Sequence, residues 1–175
     1  MNKTLKTKLN KIKLLVMDVD GVLTDGNIVV DAQGKELKFF DVQDGFGLVL
    51  LRQAGIKTAI LSARSSPAVT ARAEDLKIDK ICQDAYPKTS AYERLTRELG
   101  CTDEQVCFMG DDLPDLPVLK RVGLAVAVSN AMDELKKIAH YVTTRRGGAG
   151  AVREVIELIL KAQGKWKNIV AQMEK

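Results

Sequence analysis

Short apolar runs of strand length recur along this chain, and each stops on residues that can do chemistry. KLLVM at 13–17 runs into Asp18-Val19-Asp20-Gly21, IKTAIL at 56–61 into Ser62-Ala63-Arg64, and QVCFM at 105–109 into Gly110-Asp111-Asp112. Continuous apolar runs bounded by turn residues read as strands buried on both faces. Segments of helical content alternate with them, at 45–53, 67–76, 90–99, 131–138 and 151–162, and a further helix follows the 105–109 run and continues to Val122. Ser66-Pro67 is a cap-plus-first-turn signal, and Gly100 and Gly164 are stop signals. The alternation predicts βαβ units and a Rossmann-like parallel sheet flanked by helices, an α/β fold. Further strands are expected at 78–82, 124–128 and 141–143. Two β-prone segments, 27–31 and 36–40 around Ala32-Gln33-Gly34, predict a hairpin inserted after the first strand.

At 175 residues the chain has the length of one domain. We expect a basic N-terminal tail at 1–11, a catalytic domain at 12–163 with the hairpin at about 27–40, and a C-terminal tail at 164–175. The first 13 residues carry five Lys and no acid, and 161–175 carries four Lys against Glu174, so the +4 net charge sits at the ends and the body is mildly acidic. A mildly acidic body offers no basic stripe, and aromatics at 5% offer few stacking platforms, which argues against a nucleic-acid partner. No apolar run is long enough to span a bilayer and no signal-peptide pattern opens the chain, so a cytoplasmic address with no membrane partner is expected. Cys82, Cys101 and Cys107 lack metal-site or disulfide-framework spacing. His140 is the sole His, and no Cys precedes an Arg at phosphatase-loop spacing. Histidine- and cysteine-nucleophile phosphatases are thereby excluded, and no GxxxxGK[ST] loop is present.

In parallel sheets, ligands bind beyond the carboxyl ends of the strands. Those ends gather Asp18, Asp20, Asp111, nearby Asp115, Ser62 and Arg64, and the segment after the third strand leads to Lys88. So many carboxylates in one crevice call for a hard divalent cation such as Mg²⁺, with Mn²⁺ or Co²⁺ as alternatives. Two acids spaced by one residue also suit phosphoryl transfer, one as nucleophile and the other as proton carrier.

Asp18-Val19-Asp20-Gly21-Val22, Ser62, Lys88 and Gly110-Asp111-Asp112 resemble, in order, the four motifs of the haloacid dehalogenase (HAD) superfamily. DVDGVLTDG at 18–26, DVQDGFG at 41–47, GDDLPDLPVL at 110–119, VAVSNA at 126–131, YVTTRRGGAGAVREV at 141–155 and LKAQGKW at 160–166 resemble its minimal-cap 3-deoxy-D-manno-octulosonate 8-phosphate (Kdo 8-phosphate) phosphatases, over residues 12–167. The resemblance implies a Mg²⁺-dependent hydrolase of a phosphorylated sugar acid that feeds lipopolysaccharide assembly. Asp18 would be nucleophile and metal ligand, Asp20 acid/base and carbonyl ligand to the metal, and Asp111 the third metal ligand. Ser62 and Lys88 would hold the phosphoryl group, and Asp20, Asp41, Arg64, Arg72 and Lys88 would meet the substrate. Asp112 and Asp115 would support the site from behind. A homotetramer built on the hairpins is also implied, with active sites near subunit interfaces and Trp166 anchoring the tail on a neighbour. Asp41 stands where many relatives have Asn, and Val49 where many have Arg or Lys. A nine-carbon, sialic-acid-type 9-phosphate as substrate, a non-catalytic oligomerisation module, and a phosphomutase are the competing readings.

Overall fold

The computed structural model describes residues 3–174; Met1, Asn2 and Lys175 lie outside the described residues. Six strands form one sheet: β1 (Leu14–Met17), β4 (Lys57–Leu61), β5 (Lys80–Cys82), β6 (Val106–Gly110), β7 (Leu124–Ala127) and β8 (Tyr141–Val142). Their order is β5-β4-β1-β6-β7-β8 and every pairing is parallel. This is the expected α/β fold. Every residue of β1, β6 and β7 is buried, as strands covered by helices on both faces must be. From β1 the chain builds outward through β4 and β5 on one side, then through β6, β7 and β8 on the other. The strand order therefore reverses at β1, which opens a crevice at its carboxyl end.

The expected hairpin is present but shorter, with β2 (Val29–Val30) antiparallel to β3 (Glu36–Leu37). Asp31 closes its turn by accepting from the Gln33 and Lys35 amides at 2.9 and 2.8 Å. Ile28, Val30, Leu37 and Phe39 leave a large part of their side chains exposed. Helix α2 (Val42–Gln53) starts three residues before the expected position, because Asp41 caps it. Helix α3 (Pro67–Asp75) follows the Ser66-Pro67 signal, and α4 (Lys88–Leu99) ends on Gly100 in the left-handed conformation, φ 65°. The continuous helix expected after β6 is instead a 3₁₀ turn (Leu113–Asp115) followed by the one-turn α5 (Leu116–Leu119). Pro114 and Pro117 remove the amide donors that a longer first helix would need. α6 (Asp133–Ile138) precedes β8. In α7 (Ala151–Ala162) Val152, Val155, Ile156, Ile159 and Leu160 form one buried stripe that packs on α2.

Both end segments carry helices. Among the described residues of the N-terminal segment, Lys3–Lys11 form helix α1, with Leu9 buried against the fold and α7 alongside. Leu5, Leu9 and Ile12 lie on one face, and the Gln163 side-chain amide donates to the carbonyls of Leu9 and Ile12 at 3.1 and 2.9 Å. The C-terminal segment forms α8 (Trp166–Met173), packed on α7. Trp166 lies against its own chain, with Arg153 and Lys161 at 5.5 and 5.2 Å from the ring centroid. Among the described residues no helix is long and apolar enough to cross a membrane.

Candidate active site

The loop leaving β1 carries Asp18 and Asp20. The Asp18 amide still donates to the Met109 carbonyl, so the nucleophile candidate is held by the ladder to β6. Its Oδ1 accepts from the Val19 amide at 2.7 Å, and its Oδ2 lies 2.8 Å from Lys88 Nζ. Lys88 is the first residue of α4, and its side chain is 1% exposed. Its ammonium also donates to Asp115 Oδ1 at 2.6 Å. Asp115 is wholly buried, and its Oδ2 accepts from the amides of Asp111 and Asp112 at 3.0 and 3.4 Å. Asp115 thus ties the loop after β6 to Lys88, and Lys88 ties both to the loop after β1.

Asp18, Asp111 and Asp115 each place a carboxylate oxygen within 4.8 Å of the others. Asp115 spends its oxygens on Lys88 and the two amides, whereas Asp18 and Asp111 line the open cavity. Burial first, then the charges of Asp18, Asp115 and Asp112, push Asp111 up to about 8. Burial and Asp115 raise Asp18 to about 6, against the pull of Lys88. Burial alone would lower Lys88, but Asp18 and Asp115 outweigh it and hold the ammonium above its ordinary value. Carboxylates this strained by mutual repulsion fit a divalent cation, which would relieve them. Asp18 and Asp111 are the side chains that would hold it.

The turn after the nucleophile needs its glycine. Gly21 has φ +84°, and a Cβ there would stand 2.0 Å from Asp111 Oδ2. The Gly-rich loop presses on the same turn. A Cβ on Gly147 would lie 1.7 Å from the Gly21 carbonyl oxygen, and the Gly148 amide donates to the Val22 carbonyl. Asn130 bridges the two loops: its Nδ2 donates to the Gly21 carbonyl at 3.1 Å, and its Oδ1 accepts from the Gly147 amide at 2.7 Å.

The cavity above encloses about 230 Å³ and is lined by Asp18, Asp20, Ser62, Arg64, Lys88, Asp111 and Asp112, with Gly26, Ala63 and Pro114. Seven of the ten expected site residues therefore face one space. Ser62, just past β4, is almost fully buried, and its Oγ accepts from the Arg64 amide at 3.2 Å. Arg64 is half exposed, its Nε 3.4 Å from Asp20 Oδ2. Asp112 caps the 3₁₀ turn by accepting from Leu113 at 2.7 Å. Asp115, wholly buried, is not among the residues that line the cavity.

Asp41 and Arg72 are not brought to this cavity. They line a separate narrow crevice between α2 and α3, with Leu23, Leu48 and Val69. Asp41 Oδ1 accepts from the amides of Gln43 and Asp44 at 2.6 and 3.0 Å, the work of a helix N-cap. Asn caps as well as Asp, so the Asp at this position keeps the helix start intact. Arg72 pairs with Asp75 at 2.7 Å, and its guanidinium lies over Gly45.

Three participants were not singled out from the sequence. Lys38, from the hairpin, forms a short ion pair with Asp20. Asn130 is the bridge described above. Asp44 is buried and accepts from the Arg153 and Gly150 amides at 2.7 and 3.3 Å, fastening α2 to the start of α7. Asp44 and Asn130 lie inside quoted motif blocks. Lys38 lies just past β3, two residues after Glu36, an extended-chain spacing that turns both side chains the same way.

Residues 77–156 match the family model of haloacid dehalogenase-like hydrolases. The 3-deoxy-D-manno-octulosonate 8-phosphate phosphatase KdsC of Yersinia pestis is 48% identical over 154 residues, 88% of this chain and 82% of the relative. Among solved structures, the Moraxella catarrhalis 3-deoxy-D-manno-octulosonate 8-phosphate phosphatase in complex with magnesium, phosphate and KDO superposes with a TM-score of 0.95. It is 44% identical and covers 99% of both chains. The cobalt-bound deoxy-D-mannose-octulosonate 8-phosphate phosphatase of Haemophilus influenzae gives a TM-score of 0.88 at 42% identity, covering 90% of this chain and 92% of that one. A buried Asp–Lys–Asp chain beneath a carboxylate-lined cavity, on a scaffold matched from end to end, places this chain in the KdsC family of HAD-like hydrolases.

Proposed function

We propose that the chain is a Mg²⁺-dependent phosphatase that hydrolyses Kdo 8-phosphate to Kdo and inorganic phosphate, in the supply of sugar for lipopolysaccharide. The observation that carries this is the pairing of Asp18 with buried Lys88 directly opposite Asp111, in a cavity that Asp20 and Arg64 also line. The carboxylates of Asp18 and Asp111 and the backbone carbonyl of Asp20 would hold Mg²⁺, which would supply the positive charge a phosphate dianion needs to approach a carboxylate.

Asp18 attacks phosphorus as the bond from phosphorus to the sugar oxygen breaks, and Asp20 gives its proton to the departing oxygen. Asp20 then takes a proton from water, whose oxygen attacks the aspartyl phosphate; phosphate leaves and Asp18 is restored. Lys88 and the Ser62 hydroxyl steady the phosphoryl oxygens. Arg64 would meet the carboxylate of the sugar acid, a reading supported by its half-exposed guanidinium on the cavity lining. Asp41 and Arg72 reach substrate only through a rearrangement or a second subunit. The enzyme works in the cytoplasm as a homotetramer, and the exposed apolar residues of the hairpin support the assembly. The catalytic unit spans 12–163, braced by the helical segments at both ends.

The test is phosphate release with Mg²⁺ across phosphorylated sugars and sugar acids, with Asp18→Asn as control. Preference for Kdo 8-phosphate, lost in the variant, is the expected result. Preference for a nine-carbon 9-phosphate would change the substrate and keep the chemistry. No release from any substrate would overturn the reading, as would an active Asp18→Asn. Sedimentation as a monomer would remove the tetramer.

A further inference from the structure

Lys38 sits on a two-stranded outlying hairpin whose neighbouring residues Leu37 and Phe39 are 43% and 69% exposed, yet its own side chain is 2% exposed. A lysine is seldom buried to this degree unless it is paired. Its ammonium is paired twice, with Asp20 Oδ1 and with Glu36 Oε1, the latter at 2.7 Å. Glu36 also accepts from Arg64 Nη2 at 3.2 Å, so one anchor carboxylate restrains both cations that touch Asp20.

The two oxygens of Asp20 are therefore held differently. Oδ1 is gripped by a buried ammonium in a short contact. Among the described residues Oδ2 pairs only with the half-exposed Arg64, at a loose 3.4 Å. Arg64 lines the cavity and can be drawn away by an anionic substrate; Lys38, its side chain 2% exposed and its ammonium paired twice, is held where it is.

We infer that Lys38 is a positioning residue for the reaction: it holds Asp20 Oδ1, so that Oδ2 is the oxygen that hands a proton to the leaving group and takes one from water. The inference rests on the reading of Asp20 as acid/base. It gives the hairpin a part in the chemistry of its own subunit, besides any part in assembly.

The experiment uses the full chain with Mg²⁺ and two substrates. Kdo 8-phosphate has an alkoxide leaving group that needs a proton. p-Nitrophenyl phosphate has a phenolate that leaves without one. Leaving-group release is followed in a single turnover, and phosphoryl-enzyme is measured in acid-quenched steady-state samples. General acid–base catalysis contributes about 10²–10⁴-fold. Lys38→Met, which spoils the aim of Asp20 without removing it, is expected to slow alkyl release by about 10–100-fold. It should leave aryl release within about threefold of the parent, and it should raise the phosphoryl-enzyme fraction during aryl turnover, because activation of water also suffers. Intact aryl release reports an intact site. Equal losses on both substrates would mean that Lys38 merely holds the hairpin, and would overturn the inference. Lys38→Gln, which keeps an N–H donor, is measured in the same way should the methionine variant fail to fold. Asp20→Asn separates the two claims. If it shows no alkyl–aryl split, the acid/base reading itself fails; if it shows the split and the Lys38 variants do not, only the role of Lys38 fails.

Discussion

Lys88→Met removes one ammonium from between two carboxylates and keeps most of the stem's bulk. Its Nζ lies 2.8 Å from Asp18 and 2.6 Å from Asp115, with the lysine side chain 1% exposed and Asp115 at 0%. Deleting one partner of a buried pair typically costs about 3–5 kcal/mol, because a charge is left without compensation. Protonation caps that cost. A carboxyl with the ordinary value of 3.8 takes up a proton at pH 7 for about 4 kcal/mol, and at pH 5 for less than about 2 kcal/mol. Once the penalty reaches the cap, the site accepts a proton where the ammonium was. A loss of about 3–4 kcal/mol is expected at pH 7, which lowers Tm by about 10 °C in a domain of this size. Thermal unfolding in EDTA at pH 5, 6, 7 and 8 measures it. The deficit relative to the parent should shrink by more than half between pH 7 and pH 5. A deficit that does not change with pH, or none at all, would refute the picture of Lys88 as the charge that compensates the two carboxylates it touches.

The metal should act through the same carboxylates. Asp18 and Asp111 are raised in the metal-free fold to about 6 and about 8. Their contribution to stability is thus complete below 3.8, the ordinary value, and is lost as pH rises through 6 and 8. Mg²⁺ needs them ionised, so its gain in Tm should grow from pH 5 to pH 8, with protons released on binding in calorimetry at pH 7; a gain flat across that range would contradict the assignment. Asp111→Asn should raise the Mg²⁺ concentration needed for turnover and also raise the metal-free Tm, since one of the clustered charges is gone; an unchanged metal titration would remove Asp111 as a ligand. Gly147→Ala sets a methyl 1.7 Å from the Gly21 carbonyl oxygen, against backbone that cannot swing away. Overpacking of this kind costs about 3 kcal/mol, and a shift of the Asp18–Gly21 turn by about 1 Å would slow turnover by about 10²-fold; wild-type Tm and turnover would show that the two loops are not in contact.

Strand-length apolar runs that stop on carboxylates are local facts, and they carried both the parallel sheet and the gathering of Asp18, Ser62, Lys88 and Asp111 at one edge. A buried strand has to be apolar along its length, and its carboxyl end is where the chain first meets solvent, so periodicity and position together are legible without coordinates. The start of α2 was less legible, because a capping Asp and a substrate-binding Asp look alike until the amides of Gln43 and Asp44 are seen to claim the Asp41 side chain. The five lysines near the N-terminus hid an apolar face of α1, since charge count masks a stripe only three residues wide.

What tertiary structure alone decided was the pairing of charges far apart in the chain. Lys38 and Asp20 are 18 residues apart, and Lys88 and Asp115 are 27 apart. Asn130 reaches back 109 residues to the Gly21 carbonyl. Which cation meets which carboxylate depends on strand order and helix docking, which long-range packing sets and local pattern does not encode. The composition of the site is therefore written residue by residue along the chain. The assignment of each charge to a partner arises only when β1 takes its place between β4 and β6.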